Sequence, residues 1–327
     1  MNRRDAVLAL LAIGAGLSGA LAQPARGTYR MGILYTTTRS VAKPFYDVLL
    51  KRLGELGYAE GLNLTVDVRA TDGDPDRFLA LAGELVALKP DVLVGFQQAA
   101  VALQARTTTI PIVMPGSVDP VAAGLVRGLG RPGTNVTGLV EPTDELVAKH
   151  FELLVECMPA LSRVAFMSDS GMEAPNRARY ESVARKAAGK LNLKLVLVSA
   201  HDQSTAKRAM QQLEKHRIEA LVVANTSRLA LIAPEVAKRA ERLRLPVISG
   251  NAGIVDRGWL LAYGADTYER LRYVAGIVAK ILDGAKPGDL PVEQVNKFTL
   301  VVNMQTARSL GITIPQSVLF RADRVIE

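Results

Sequence analysis

The chain has 327 residues, of which 49% are hydrophobic and 22% are charged, and its formal net charge is +8. A chain of this length normally forms about two domains, and this hydrophobic fraction can bury sizeable cores. Lysines and arginines are interspersed with acidic residues along the predicted helices, which indicates a solvated surface and excludes nucleic acid as the expected partner. Cys157 is the single cysteine, so a disulfide within the chain is excluded.

The first segment, residues 1–22, has the layout of a secretory signal peptide. Arg3 and Arg4 form a basic start, residues 6–17 are apolar, and small residues end the segment near Ala22. The apolar run is shorter than the roughly 20 residues that a transmembrane helix needs. We therefore expect cleavage near Ala22 and a periplasmic protein without stable membrane insertion. The paired arginines also fit a twin-arginine signal, so the sequence leaves both export routes open.

After the signal peptide, short β-branched runs alternate with longer amphipathic segments. This alternation is typical of βαβ units that build a parallel sheet. The predicted helices include one that ends at Gly57 and one that begins at Asp74-Pro75 and ends at Leu88. The strands predicted in the first half of the chain are residues 30–35, 62–68, 91–95 and 110–114.

The second half of the chain repeats this order of strands at a nearly constant spacing. The corresponding strands are residues 163–167, 191–196, 219–223 and 245–248. Four matches in the same order predict two similar Rossmann-like α/β lobes with parallel sheets. Ligands of such sheets bind beyond the carboxyl ends of the strands, so two facing lobes would share one ligand cleft.

Further elements follow the repeat. We predict strands at residues 259–263 and 298–302 and helices at residues 267–282 and 304–310. These surplus elements predict that the chain passes between the lobes again before it ends, which would form a hinge of several segments.

Polar and aromatic side chains at the strand ends are the candidate ligand-binding residues. Their hydroxyl and amide groups suit a neutral or zwitterionic solute, the aspartates suit an ammonium group, and the aromatic rings suit an apolar group. The same residue types cap helices, and for each of them the sequence leaves capping and ligand contact equally open. The candidates are Tyr35, Thr36, Thr37, Phe96, Gln97, Asp119, Thr137, Asp169, Ser170, Asn225, Thr226, Asn251, Tyr263 and Asp266.

No motif indicates a catalytic or metal site. The glycine spacing of a dinucleotide-binding loop occurs only at residues 14–19, inside the predicted signal peptide and without a preceding strand. The histidines, His150, His201 and His216, lack metal-ligand spacing and are interpreted as surface residues. We expect a protein that is not an enzyme and that holds neither a metal nor a cofactor.

Several longer motifs point to a known family. They include residues 54–63, 131–138, 284–291 and 303–308 and are spread over nearly the whole mature chain. On these motifs the chain resembles the substrate-binding proteins of ABC transporters, in the family that includes tryptophan- and tyrosine-binding members. The resemblance implies the type I periplasmic binding fold, with a hinge of about three crossovers between the lobes.

The resemblance also implies a division of the chain and a function. Lobe 1 would comprise residues 29–138 and 252–288, and lobe 2 residues 139–251 and 289–327. The protein would capture a small solute, often an amino acid, and deliver it to a membrane permease that a separate ATPase drives. We expect a monomer. The alternative is a periplasmic ligand sensor that partners a membrane receptor kinase.

One departure from the family pattern leaves the ligand open. Relatives tend to carry small residues after the third strand, where this chain has Phe96, Gln97 and Gln98. Because this position lies at the predicted cleft, the ligand of the relatives cannot be carried over.

Overall fold

The computed structural model describes residues 27–172 and 174–327, without the side chains of Ser40, Val41, Pro75 and Ser227. The predicted signal peptide, residues 1–22, lies outside the described residues.

The strands agree with the predicted ones to within a few residues wherever a strand was predicted. Three strands, β5, β11 and β13, were not predicted. In chain order the strands are β1 (Tyr29–Tyr35), β2 (Leu64–Ala70), β3 (Val92–Gly95), β4 (Ile112–Met114), β5 (Val136–Val140), β6 (Arg163–Asp169), β7 (Lys194–Ala200), β8 (Ala220–Val223), β9 (Val247–Ser249), β10 (Leu261–Ala265), β11 (Glu293–Gln294), β12 (Phe298–Asn303) and β13 (Arg324–Ile326).

The helices lie between these strands, with short 3-10 turns at Pro75–Arg77, Ala252–Arg257 and Pro287–Asp289. Within the described ranges, no helix combines the length and apolar character that a membrane crossing requires. The α-helices are α1 (Arg39–Glu55), α2 (Phe78–Ala87), α3 (Gln97–Gln104), α4 (Thr143–Cys157), α5 (Ala174–Lys190), α6 (Gln203–Lys215), α7 (Ser227–Arg242), α8 (Thr267–Leu282), α9 (Met304–Leu310) and α10 (Gln316–Arg321).

Two sheets form two lobes with the same topology. The first sheet has the order β2-β1-β3-β4-β5-β11, and the second has the order β7-β6-β8-β9-β10-β12-β13. Neighbouring strands are parallel, apart from the antiparallel pair of β10 and β12. The shared order of the first five strands in each sheet confirms the prediction of two similar Rossmann-like lobes.

The chain passes between the sheets after β5, after β10 and after β11. These three passages agree with the expected hinge of about three crossovers. Three segments differ from the predicted lobe boundaries. Residues 139–140 belong to the first lobe, because β5 pairs with β4 of the first sheet. Residues 252–265 belong to the second lobe, because β10 pairs with β9 and β12 of the second sheet. Residues 293–294 belong to the first lobe, because β11 pairs with β5.

Strand β5 was not predicted from the sequence, because a glycine interrupts its short apolar run. Gly138 has a φ of +139°, and a methyl group there would overlap the carbonyl oxygen of Met114 on β4. The close approach of the two backbones therefore requires glycine at this position. The strand is nevertheless completely buried and ends directly at the cleft between the lobes.

Each sheet is covered by helices on both faces, and the cores are mainly aliphatic. In the first lobe, Leu49 and Val278 pack on one face of the sheet, while Leu85 and Leu103 pack on the other. In the second lobe one continuous core surrounds Trp259. Strands buried on both faces have the continuous apolar runs by which they were recognised in the sequence.

His150 corrects one expectation. It lies on α4 with 3% of its surface exposed, and its Nε2 atom is 2.6 Å from the carbonyl oxygen of Tyr263 on β10. The interpretation as a surface histidine is wrong for this residue, because α4 packs this face against the second sheet. Burial lowers the pKa of His150 from 6.5 to about 4, since the charged imidazolium loses its hydration, while the hydrogen bond to Tyr263 acts in the opposite direction.

This histidine should make stability depend on pH. The unfolded chain takes up a proton near pH 6.5, whereas the folded protein takes it up only near pH 4. The free energy of unfolding should therefore fall as the pH drops through this window, with a contribution from His150 of up to about 3 kcal/mol. Urea unfolding of the wild type and of His150→Gln between pH 6.5 and about pH 4 measures this change in the free energy of unfolding.

The His150→Gln variant should lose this contribution, because glutamine can donate to Tyr263 and does not titrate. The exposed His216 provides the control, and His216→Gln should keep the wild-type pH dependence. If the stability of the wild type and that of His150→Gln changed equally with pH, the change could not be attributed to His150.

Candidate functional site

The carboxyl ends of the strands of both sheets line a partly open cavity of about 90 Å³ between the lobes. Its lining residues follow β1, β3, β4 and β5 of the first sheet and lie at or after the ends of β6 and β8 of the second. This is the location at which open parallel sheets bind their ligands. The cavity is lined by Thr36, Phe96, Gln97, Gln98, Gly116, Ser117, Val118, Glu141, Asp169, Met172, Asn225, Thr226 and Arg228.

A larger cavity, about 410 Å³ in volume, lies at the hinge. It is lined mainly by charged and polar side chains of α8 and of residues 293–297. Of the second sheet, the end of β10 reaches it through Asp266, one of the candidate ligand residues, whereas the ends of β6, β8 and β9 do not line it. We assign the functional site to the smaller cavity, because there the ends of four strands of the first sheet meet the ends of β6 and β8 of the second.

A buried ion pair forms the second-lobe wall of this cavity. Asp169 stands at the end of β6, and its side chain is only 1% exposed. Its Oδ1 atom accepts hydrogen bonds from the backbone N–H of Gly171 (2.9 Å) and from Nη1 of Arg228 (3.1 Å). Its Oδ2 atom accepts a bond from the hydroxyl of Thr226 (3.0 Å), which also caps α7. A buried carboxylate needs such compensation, because its lost hydration costs several kcal/mol.

Gly171 allows the guanidinium group of Arg228 to reach this position. A methyl group at residue 171 would overlap Nη1 of Arg228. The guanidinium therefore packs directly against the backbone of the turn that follows β6. The turn, the carboxylate and the arginine are fitted to one another, although Arg228 lies in the first turn of α7, far along the chain from Gly171.

On the first-lobe side, Gln97 holds two loops together. Its Oε1 atom accepts hydrogen bonds from the hydroxyl of Ser117 (2.6 Å) and from the backbone N–H of Val118 (2.8 Å). These bonds tie the start of α3 to the loop after β4. Phe96 precedes Gln97 and presents its ring to the cavity, with the guanidinium carbon of Arg270 5.2 Å from the ring centroid.

A second buried ion pair joins Arg270 on α8 to Glu141 at the end of β5. The Nε atom of Arg270 is buried and has no hydrogen-bond partner among the described residues. Glu141 lines the cavity, so this pair faces the Arg228–Asp169 pair across the cleft. The formal charges of the two pairs cancel.

The lobes also contact each other at the rim of the cleft. Arg179 on α5 donates hydrogen bonds to Asp119 of the first lobe (2.6 Å) and to Asp144 of the second (3.0 Å). Leu231 on α7 packs close to Gly73, where an added methyl group would lie 3.1 Å from its Cδ1 atom. The cavity is thus bounded on several sides by contacts between the lobes.

Several predicted ligand residues lie together at the cavity, and the others lie elsewhere. Asp119 pairs with Arg179 at the rim. Ser170 lies 2.9 Å from Nδ1 of His201 and lines a separate groove. The hydroxyl of Thr37 donates to the carbonyl oxygen of Thr38 at 3.5 Å. The predicted residues at the cavity are Thr36, Phe96, Gln97, Asp169, Asn225 and Thr226.

Three further candidates are packed into the lobes. Tyr35 lies in the first-lobe core, where burial strongly raises the pKa of its hydroxyl. Thr137 is completely buried and donates to the carbonyl oxygen of Leu290 at 2.8 Å. The ring of Tyr263 packs against Phe298 with the centroids 5.8 Å apart. Because these residues lie within strands, their side chains stand on the faces of the sheets and not at the edge where the strands end.

The last two candidates, Asn251 and Asp266, are helix caps. Asn251 accepts a hydrogen bond from the backbone N–H of Gly253, and Asp266 accepts bonds from the N–H groups of Tyr268 and Glu269. The sequence left helix capping and ligand contact open for these two residues, and the structure shows helix capping.

Sequence reasoning missed Glu141, Met172 and Arg228, which line the cavity, and Arg270 behind it. A signal existed for Arg228, because it comes two positions after Thr226, the second of the predicted strand-end residues Asn225 and Thr226. Glu141 follows β5, which was not predicted. Arg270 lies inside a helix and gave no local signal.

Comparison with known proteins identifies similar proteins along nearly the whole chain. A family model described as ABC transporter substrate binding protein matches residues 41–326. The tyrosine-binding protein of Clostridioides difficile (strain R20291) is 29% identical over 265 residues, which cover 80% of this chain and 75% of that protein. The resemblance inferred from the motifs is confirmed. The matched family consists of solute-binding proteins, so the prediction that the chain is not an enzyme is confirmed as well.

Two solved structures with the same sequence identity to this chain differ in how well they superpose on it. An ABC domain from Streptococcus pneumonia in complex with L-Trp is 25% identical, with a TM-score of 0.83 over 92% of this chain and 100% of that one. The ligand-free, open structure of a substrate binding protein with adhesive properties from Clostridium difficile is also 25% identical, with a TM-score of 0.68 over 91% and 99%. The lobes of this chain are therefore arranged more like those of the complex. The fold is that of the type I periplasmic binding proteins.

The packing of Arg228 on Gly171 can be tested through stability. In Gly171→Ala the new methyl group should push Arg228 away from the buried Asp169. The free energy of unfolding should fall by about 1–3 kcal/mol, as for other cases of overpacking. Urea unfolding measures the change.

Gly189 on α5 serves as the control, because a methyl group there meets no atom within 4 Å. Gly189→Ala should leave the free energy of unfolding unchanged or raise it by at most about 0.5–1 kcal/mol, since Gly189 lies near the end of α5 without a positive φ. If both alanine variants were as stable as the wild type or more so, Gly171 would not be needed for the ion pair.

Proposed function

The chain belongs to the family of ABC transporter substrate-binding proteins, and from this premise we propose that it is the extracytoplasmic solute-binding component of an ABC importer. It captures a small molecule, an amino acid or a related small acid, in the cleft between its lobes. It then delivers the molecule to a membrane permease that a separate ATPase drives. The predicted signal peptide at residues 1–22, cleaved near Ala22, supports a periplasmic location.

The observation that carries this proposal is the composition of the cavity. Phe96, Val118 and Met172 provide apolar surface, while Asn225 and Arg228 provide hydrogen-bond donors. Apolar walls with a few converging polar groups are the usual composition of a small-molecule site. The relatives support the ligand class, since one is a tyrosine-binding protein and another was crystallised with L-Trp.

Capture works through closure of the lobes about the hinge. A ligand that contacts Phe96 on one lobe and Arg228 on the other gains contacts only when the lobes are close together. Its binding therefore favours the closed arrangement by the difference in contacts between the two states. The permease recognises the closed arrangement. Both walls of the cleft come from one chain, which supports a monomer as the working unit.

The first test is a ligand screen by thermal unfolding of the exported protein. The panel contains the proteinogenic L-amino acids, small aromatic and aliphatic acids, sugars and purines. An amino acid or small acid should raise the stability by about 2.7 kcal/mol at one hundred times its dissociation constant, because it binds only the folded state. If only a sugar or a purine stabilised the protein, the proposed ligand class would be refuted.

Transport is tested in cells that carry or lack the gene. Uptake of the radiolabelled ligand found in the screen should drop to background in the deletion strain. Unchanged uptake would instead favour the ligand sensor that partners a membrane receptor kinase.

Phe96 should contribute to affinity through its ring. Phe96→Ala should weaken the binding of an aromatic amino acid by roughly 10-fold or more, because an aromatic contact and its buried area are lost. Isothermal titration measures the dissociation constant. Phe320 on α10 is the matched control, since it is 87% exposed and outside the cleft, and Phe320→Ala should bind as the wild type does.

A further inference from the structure

The acidic side chains that the sequence offered for an ammonium group already have partners. Asp119 is paired with Arg179, and Asp266 caps α8. Asp169 accepts hydrogen bonds from a backbone N–H, a hydroxyl and the guanidinium group of Arg228. The second-lobe wall of the cavity therefore presents donors, and not an acid, to a ligand.

Arg228 retains most of its hydrogen-bonding capacity. A guanidinium group has five N–H donors in a planar fork, and the Nη1 bond to Asp169 is the one that Arg228 makes to the described residues. Its side chain is 10% exposed and lines the cavity. The neighbouring amide of Asn225 also lines the cavity and makes no hydrogen bond to the described residues. A planar guanidinium group that is held in place beside an amide can donate hydrogen bonds to the two oxygens of a carboxylate.

The charge balance of the cleft restricts the ligand further. The pairs Arg228–Asp169 and Arg270–Glu141 are formally neutral. A buried ligand with a net negative charge would leave that charge uncompensated, which is costly in a desolvated site. Arg270 is bonded to Oε1 of Glu141, so Oε2 is left for a cationic group of the ligand. The balance thus favours a ligand that carries one charge of each sign.

We propose that Arg228 binds the carboxylate of the ligand, that Glu141 faces its ammonium group, and that the substrate class is an α-amino acid with an apolar or aromatic side chain. The side chain would lie against Phe96 and Met172. Asp169 acts as a positioning residue, because it holds the guanidinium without contacting the ligand. This inference rests on the proposed function, in which the cleft binds an amino acid or a related small acid.

The ligand half of the test varies the charged groups of the probe. Isothermal titration compares L-tyrosine with tyrosinamide and tyramine, and L-leucine with leucinamide and isoamylamine. The amides and amines lack the carboxylate, so they should bind at least about 100-fold more weakly than the amino acid of their series, as expected when a buried charge pair is broken. In 3-(4-hydroxyphenyl)propanoate the ammonium group is absent, and its affinity should also be lower than that of L-tyrosine.

The protein half of the test removes the arginine without leaving a buried charge. Arg228→Gln alone would strand the carboxylate of Asp169 and could unfold the second lobe. We therefore compare Asp169→Asn with the double variant Asp169→Asn/Arg228→Gln, in which both members of the pair are neutral. Asp169→Asn should bind the amino acid within about 10-fold of the wild type, and the double variant should lose a further 100-fold or so.

Arg239 provides the matched control on the same helix. Its guanidinium is paired with Glu235 and does not line the cavity. Arg239→Gln should bind L-tyrosine and L-leucine with wild-type affinity. Thermal unfolding of each variant without ligand confirms that the double variant is folded before its affinity is interpreted.

The outcomes separate this inference from the proposed function. If the double variant binds as tightly as Asp169→Asn, or if tyramine or isoamylamine binds the wild type as tightly as its amino acid, the role of Arg228 is refuted and amino-acid binding stands. If none of the proteinogenic amino acids binds the wild type, the amino-acid class proposed here is refuted. If the small acids do not bind either, the proposed function is refuted as well.

Discussion

The cleft depends on one constraint, which is the compensation of the carboxylate of Asp169 at the buried end of β6. An uncompensated charge at this depth would cost several kcal/mol, a large part of the stability of an ordinary domain. The compensation comes from the turn at Gly171, from the cap of α7 at Thr226 and from Arg228. One carboxylate therefore determines how the loops after β6 and β8 are arranged, and with them the second-lobe wall of the site.

The contacts that bridge the lobes are of a different kind. The ion pair between Arg179 and Asp119 is partly solvated, and pairs of this type contribute at most about 1 kcal/mol. Such a pair cannot hold the lobes together by itself. Three crossovers connect the lobes, and in the proposed function contacts with a ligand in the cleft would decide the balance between open and closed arrangements. This division suits a protein that must both capture a solute and release it.

The two buried ion pairs of the cleft are better understood as determinants of specificity than as sources of stability. A buried pair often contributes little net stability compared with apolar packing, because both charges lose their hydration. Its directional hydrogen bonds, however, discriminate between ligands that match them and ligands that do not. At the proposed site, Phe96, Val118 and Met172 would supply the non-directional apolar contacts, and the charged groups would decide which polar groups a ligand can carry.

The sequence by itself determined most of the strands, their order and the repetition that produces two lobes, and it predicted where the ligand cleft lies. These follow from local apolar periodicity, from internal similarity and from the general property that ligands bind at the carboxyl ends of parallel strands. It also indicated Phe96, Asp169 and Asn225 at that edge. Only the tertiary structure decided that β10 pairs in the second sheet, that Asn251 and Asp266 cap helices, and that Arg228 and Glu141 line the same cavity. The physical reason is that strand partners and converging side chains come from segments far apart in the chain, whereas a sequence pattern reports only on neighbouring residues.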